Sequence, residues 1–188
     1  PGHPRLSVIE DHLSGAWRDA LSGETGGLRQ TAWVHKLLAK IGVQYDYVFL
    51  DLGPSLGSLN RTALLGSTHF CTPMGADIFS ILGLRNISDW IGAWPRLYEN
   101  AIELCRERHP GALERFEIPT EVALTRGYLG YTVQSYIAKY RAGERRPTRA
   151  YEAILKGFPT EVLSRLGDNL AAGVTAETVH LGDIPNMY

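Results

Sequence analysis

The sequence has few cysteines and none of the spacings that bind metals or carry out thiol redox chemistry. Its 188 residues include only Cys71 and Cys105, which do not form a Cys-x-x-Cys pair. Its six histidines do not fall into an H-x-x-x-H or HExxH spacing either. Because such sites need closely spaced ligands, we expect no metal site built from these residues. We expect two reduced, buried thiols, as is usual in a cytoplasmic protein.

The sequence also lacks a long hydrophobic run and a large net charge of either sign. No apolar stretch approaches the roughly 20 residues that a membrane-spanning helix needs, so no membrane partner is expected. The formal net charge is -1, which gives no global field for attracting nucleic acid or membranes. The composition, 44% hydrophobic and 21% charged, is that of a globular protein, and the length favours one domain over residues 1–188.

Short apolar segments alternate with amphipathic ones along the chain. The amphipathic segments predict helices, because their apolar residues recur with the helical period. Together they indicate an α/β fold with three layers, in which a mostly parallel sheet carries helices on both faces. The β-rich runs bounded by glycine or proline predict strands at Tyr45–Leu52, Thr68–Met74, Gly127–Tyr136 and Glu177–Pro185.

Capping and breaking residues indicate where helices and loops begin and end. Ser7 and Glu10 stand in the capping-box relation, which predicts that they close the start of the first helix. The pattern over Leu28–Ile41 predicts one continuous helix. Pro95 predicts a kink or a break in a long helix. The basic segment Arg141–Arg149 predicts an exposed loop.

The segment Y-D-Y-V-F-L-D-L-G-P-S-L-G, residues 45–57, allows a first chemistry based on serine. The G-x-S-x-G spacing around Ser55, between a predicted strand and a predicted helix, is typical of a nucleophile elbow. Asp168 and His180 follow in the chain order that an α/β serine hydrolase requires. No HGGG-like loop that would supply an oxyanion hole precedes the strand.

The same segment allows a second chemistry based on Asp51. A carboxylate at the tip of a buried strand emerges at the carboxyl edge of a parallel sheet, where such sheets bind ligands. It can hold a water of a Mg²⁺ shell, because Mg²⁺ keeps several waters and takes few protein ligands. A capping aspartate at a strand end is the simpler alternative, so both interpretations stay open on these residues alone.

The wider stretch Tyr45–Ile87 resembles the ParA/MinD-type ATPases that partition plasmids and chromosomes. The similar features are the Y-D-Y-V-F-L-D strand, the P-S-L-G after it, the N-R-x-A-L helix and the F-S-x-x-G-L-R-N helix start. The resemblance implies a P-loop NTPase-like fold that uses ATP and Mg²⁺. It also implies a homodimer that switches on and off non-specific DNA and a partition adaptor protein as a further partner.

The resemblance assigns roles to individual residues around the nucleotide. It makes Asp51 the Walker B carboxylate, which binds Mg²⁺ through water. The switch loop that follows would sense the γ-phosphate, and it contains Gly53, Pro54 and Ser55. In this interpretation Ser55 shapes the turn and is not a nucleophile.

Later residues receive roles at the base and at DNA. Gln134 and Pro185 would lie on the adenine side. Basic residues late in the chain would neutralise DNA phosphates, although a solvated loop is the simpler explanation for any single arginine. These residues are Arg141, Arg145, Arg146 and Arg149.

One family motif is missing from the printed sequence. The family cradles phosphate in a glycine-rich loop with a G-K-[ST] ending, and it places that loop upstream of the matched segment. No G-x-x-x-x-G-K-[ST] occurs here, and no lysine follows a glycine. We therefore expect an N-terminally truncated fragment that neither binds nor hydrolyses ATP alone. A non-catalytic interaction domain that lost the nucleotide is the remaining alternative.

Overall fold

The computed structural model of the protein describes residues 6–53, 57–134, 138–141, 144–147 and 149–184. Its contacts divide the chain into two compact units. The first consists of Pro1–Thr68 and Gly92–Ala123, and the second of His69–Ile91 and Leu124–Tyr188. The prediction that residues 1–188 form one domain stays a prediction.

The first unit is built from helices around a cluster of aromatic side chains. Trp17 is 2% exposed, and its ring meets those of Trp94 and Tyr98 edge-on, with centroids 5.4 and 6.1 Å apart. Such contacts add to the burial of apolar area and hold the helices together. The helices are α1 (Leu6–Leu21), α2 (Thr25–Thr31), α3 (Trp33–Ile41), α4 (Ser58–Gly66), the later part of α5 (Ile78–Arg108) and α6 (Ala112–Arg115).

The second unit holds a parallel sheet of three strands, β1 (Phe70–Gly75), β2 (Tyr128–Gln134) and β5 (His180–Ile184), in that order. The early part of α5 and the helix α7 (Arg149–Leu166) belong to the same unit. Phe158 of α7 packs edge-on against Tyr131 in the middle strand, 6.2 Å between centroids. These contacts confirm the α/β fold with a mostly parallel sheet. The same unit also contains a separate antiparallel pair, β3 (Ala138–Arg141) and β4 (Glu144–Pro147).

The strand predicted at Tyr45–Leu52 is wrong. These residues form no helix or strand, and their apolar side chains are exposed, with Tyr47 at 81% and Phe49 at 91%. A strand requires neighbours that satisfy its backbone hydrogen bonds. Among the described residues, no strand pairs with this segment. The apolar run at Tyr45–Leu52 therefore indicated a preference for a β-sheet, but it could not show whether a neighbouring strand is present.

Two helix predictions also differ from the structure. The helix predicted at Leu28–Ile41 is broken at Ala32, directly after Thr31, whose hydroxyl donates to the carbonyl of Leu28 at 3.1 Å. Such back-bonding competes with helix continuation. By contrast, α5 continues through Pro95, so the helix has no break there, and the predicted kink stays a prediction. The aromatic packing of its neighbours Trp94 and Tyr98 offsets a penalty of about 3 kcal/mol for an internal proline.

Two surface predictions are corrected as well. The segment predicted as a loop at Arg141–Arg149 instead contains β4 and borders β3, because the two strands satisfy each other's backbone groups as a hairpin. Both cysteines are free, as expected, and Cys105 is buried. Cys71 is exposed because it lies on the face of β1 opposite the buried side chains of Thr72 and Met74.

Candidate functional site

Asp51 and Gly53 lie in the extended segment that precedes α4. Both residues are exposed, and the segment is not part of a described sheet, so the predicted place of Asp51 on a central strand is wrong. The carbonyl of Gly53 accepts a hydrogen bond from the Asn60 amide at 2.8 Å, which ties the start of the loop to α4. Pro54 and Ser55 lie outside the described residues.

Three polar or aromatic side chains of α1 hold the first turn of α4. The carboxylate of Glu10 accepts the backbone N–H groups of Ser58, at 2.5 Å, and Leu59, at 2.8 Å. The hydroxyls of Ser14 and Ser58 are 2.9 Å apart. The Trp17 indole donates to the Ser58 carbonyl at 3.0 Å. Glu10 therefore caps α4 and not its own helix, which begins at Leu6, so the predicted capping box is wrong.

The sequence contained a weak signal of this contact. Glu10, Ser14 and Trp17 are spaced i, i+4 and i+7, which places them on one face of a helix. Two polar residues on a face that also buries a tryptophan indicate polar partners elsewhere in the fold. The identity of the partner, 48 residues further along the chain, could not be read from that spacing.

The three parallel strands end together at one edge of the sheet. Gly75, Gln134 and Ile184 are the last residues of β1, β2 and β5, and they are paired in register. Gln134 therefore lies at the carboxyl edge, half-buried, as its proposed place beside a ligand requires. Pro185 follows directly and lies outside the described residues.

A tight turn connects β1 to α5 at the same edge. The Asp77 carboxylate accepts the backbone N–H of Ser80 at 2.8 Å, and the Ser80 hydroxyl accepts that of Gly75 at 2.8 Å. Asp77 thus caps the start of α5. The next residues, Ile78 and Phe79, are exposed.

His180 does not form the triad that chain order allowed. Its Nε2 lies 2.8 Å from the carboxylate of Asp183, and its ring stacks on Tyr131 with centroids 4.9 Å apart. Burial and the nearby charge of Asp183 raise the pKa of Tyr131. In the described part of the chain, Asp168 makes no contact with this histidine; it is exposed in a short 3₁₀ helix. The rival serine-hydrolase hypothesis therefore loses its acid.

The predicted DNA-binding arginines lie in the hairpin or beside it. In the register of β3 and β4, Lys139 is opposite Arg146, Tyr140 is opposite Arg145, and Arg141 is opposite Glu144. Arg149 is the first residue of α7.

The first unit also contains an open cavity of about 420 Å³. Its described lining holds none of the sequence-predicted site residues, so we assign it no role in nucleotide binding. Across the described ranges, no three acidic, histidine or cysteine side chains group as a metal site, and no helix has the length and apolarity to cross a membrane.

Asp51 matches one part of a Mg–nucleotide site. Mg²⁺ accepts one or two protein carboxylates and completes its shell with water and phosphate oxygens. The exposed carboxylate of Asp51 could hold such a water. The residues that would neutralise the phosphates, a glycine-rich loop with its lysine, are not in the printed sequence. This chain therefore fits the metal side of the site and not the phosphate side.

Comparisons with known proteins agree with these features. A family model described as "AAA domain" (AAA_31) matches residues 3–104. The chain is 40% identical over 57 residues to the virulence plasmid ParA family protein pGP5-D of Chlamydia psittaci, an alignment that covers 30% of this chain and 22% of that protein. The crystal structure of protein DIP2308 from Corynebacterium diphtheriae is similar, with a TM-score of 0.73 and 30% identity over 98% of this chain and 59% of that one.

The chain thus spans about a fifth of the curated relative and about three fifths of the solved one. The family match includes the segment with Asp51 and the loop from Gly53 to Gly57, as well as β1 and most of α5. Because that match covers more than half of the chain, the protein belongs to the AAA-domain family of ParA-like partition ATPases.

Proposed function

We propose that the complete protein hydrolyses ATP with Mg²⁺ to switch a cytoplasmic homodimer on and off non-specific DNA, together with a partition adaptor protein. The observation that carries this proposal is the family match over residues 3–104, which spans Asp51 and the loop after it. A plasmid as the DNA that is partitioned fits the name of the chlamydial relative, a virulence plasmid ParA family protein. In this role the present chain supplies the metal side of the site, and the phosphate cradle comes from residues outside it.

Asp51 would hold a metal-bound water, and the loop from Gly53 to Gly57 would face the γ-phosphate. Two anchors support that role for the loop. Its first carbonyl is bound by Asn60, and its far end enters the first turn of α4, which α1 holds. Described residues therefore hold both ends of the loop, which fixes the positions at which it begins and ends.

The exposure of the segment before Asp51 supports the same proposal. Its aromatic and aliphatic side chains match a strand that is buried on both faces, yet they contact solvent here. We infer that residues outside this chain cover these side chains in the complete protein.

The first prediction concerns Asp51→Asn in the complete protein. We expect MgATP hydrolysis to fall at least tenfold, because the amide cannot hold the metal-bound water as a carboxylate does. Steady-state kinetics would measure the loss. Asp46→Asn is the matched control: Asp46 is an exposed acid in the same extended segment, and its variant should keep wild-type kcat within about twofold.

Calorimetry with MgATP on the present chain and on the complete protein separates the two sides of the site. We expect binding only by the complete protein. Binding by the present chain would contradict the proposed source of the phosphate cradle. Absence of hydrolysis by the complete wild-type protein would instead favour the non-catalytic interaction domain.

The hairpin favours a second function, the contact with DNA. Its two strands concentrate basic residues, and Lys139 and Arg146 occupy opposite positions of the ladder. Like charges in opposed positions destabilise an antiparallel pair, and a row of phosphates offsets that repulsion. We propose that β3 and β4 form the DNA-contacting element, with Arg149 next to it.

The second prediction tests this element with a Lys139→Gln/Arg146→Gln double variant, at two opposed positions of the ladder. Loss of two phosphate contacts should lower the slope of log K against log salt by about two for random-sequence duplex DNA. Fluorescence anisotropy between about 50 and 200 mM salt would measure it. Arg96→Gln, at an exposed position of α5, should leave the slope unchanged. An unchanged slope in the double variant would rule out the hairpin as the contact.

A further inference from the structure

We infer that Glu10 is a positioning residue for the switch loop, acting through the first turn of α4. This inference rests on the proposed function of the loop from Gly53 to Gly57 as the γ-phosphate sensor. The carboxylate of Glu10 accepts the N–H groups of the first two residues of α4, Ser58 and Leu59. The N-cap residue, Gly57, has no side chain that could accept these hydrogen bonds.

The contact is stronger than an ordinary helix cap. Hydrogen bonds from backbone N–H groups to a carboxylate are charge-assisted, and the positive end of a helix dipole adds to them. Two parallel bonds, one to each oxygen, also fix the direction of the helix start. Ser58 itself is buried, so water does not readily replace Glu10.

Other side chains make the start of α4 a fixed point. Trp17 donates to the Ser58 carbonyl and to the Thr62 hydroxyl at 2.9 Å, and Ser14 contacts the Ser58 hydroxyl. Asn60 then links the same turn back to Gly53. Both ends of the loop are thereby attached to α1 through the first turn of α4. A substitution at Glu10 would therefore shift the start of α4, to which the loop is attached. Glu10 itself contacts neither Gly53 nor Asp51 in the described contacts.

The test uses Glu10→Gln in the complete protein. Glutamine has the same size but only one acceptor oxygen, so its amide group faces one of the two backbone N–H groups as a second donor. We expect amide hydrogen exchange at Ser58 and Leu59 to become at least tenfold faster. We expect kcat for MgATP to fall about tenfold or more with KM changed less than threefold, because misplacement of a catalytic frame acts on the chemical step.

Two further variants separate positioning from mere stability. Glu10→Asp keeps the carboxylate and should restore part of kcat. Asp11→Asn, at an exposed position on the same turn, should change neither exchange nor kinetics. Wild-type kcat in Glu10→Gln, with hydrolysis intact in the wild-type protein, would overturn the positioning role alone. A wild-type protein that does not hydrolyse ATP would overturn the proposed function and this role with it.

Discussion

Replacement of Gly27 by alanine is expected to destabilise the protein by at least about 3 kcal/mol. A Cβ atom there would lie 2.3 Å from the Ala20 nitrogen and 2.6 Å from the Ala16 carbonyl oxygen, both in the backbone of α1. Backbone atoms cannot rotate away as a side chain can, so α1 and α2 would have to separate. Urea denaturation followed by circular dichroism at 222 nm would measure the loss.

Gly26→Ala is the matched control for this effect. Gly26 is the preceding residue of the same helix, it is exposed, and a Cβ there would meet nothing within 4 Å. Alanine has the higher helix propensity, so this variant should gain up to about 1 kcal/mol. Equal midpoints for the two variants would show that the helices do not approach as closely as described.

Replacement of Trp17 by alanine is the second large expected effect, a loss of about 3–5 kcal/mol. The side chain is 2% exposed and packs against Trp94 and Tyr98. Its loss leaves a cavity in the aromatic cluster and removes the indole N–H donor from Ser58 and Thr62. The midpoint of urea denaturation would report the change.

Two companion variants apportion that loss. Trp17→Phe keeps an aromatic ring but removes the donor and part of the buried ring volume, so we expect a smaller loss of about 1–3 kcal/mol. Trp33→Ala removes a tryptophan that is 40% exposed and should cost about 1 kcal/mol or less. A Trp17→Ala variant as stable as Trp33→Ala would place the centre of the first unit elsewhere.

The parts of the fold that could be predicted are those set by local pattern. The segments that became β1, β2 and β5 are short, rich in β-forming residues and bounded by glycine or proline, and each was predicted within about three residues of its observed bounds. Their parallel pairing followed from the helices between them.

The parts that could not be predicted depend on partners distant in the sequence. The segment at Tyr45–Leu52 has the composition of a buried strand, but whether it pairs depends on neighbours and not on its own residues. Glu10 had a local partner available at Ser7, and the structure instead gives it partners 48 and 49 residues away. Family resemblance assigned Asp51 a role, whereas spacing alone also allowed a serine elbow at Ser55.

The extended apolar segment before Asp51 governs how readily this chain aggregates in solution. Exposed β-forming residues with unpaired backbone groups are the usual nuclei of intermolecular ladders. The net charge of -1 provides almost no repulsion between copies to oppose them. We therefore expect aggregation of this chain to depend on protein concentration. The concentration limit is set by this short segment and not by the well-packed helices and strands.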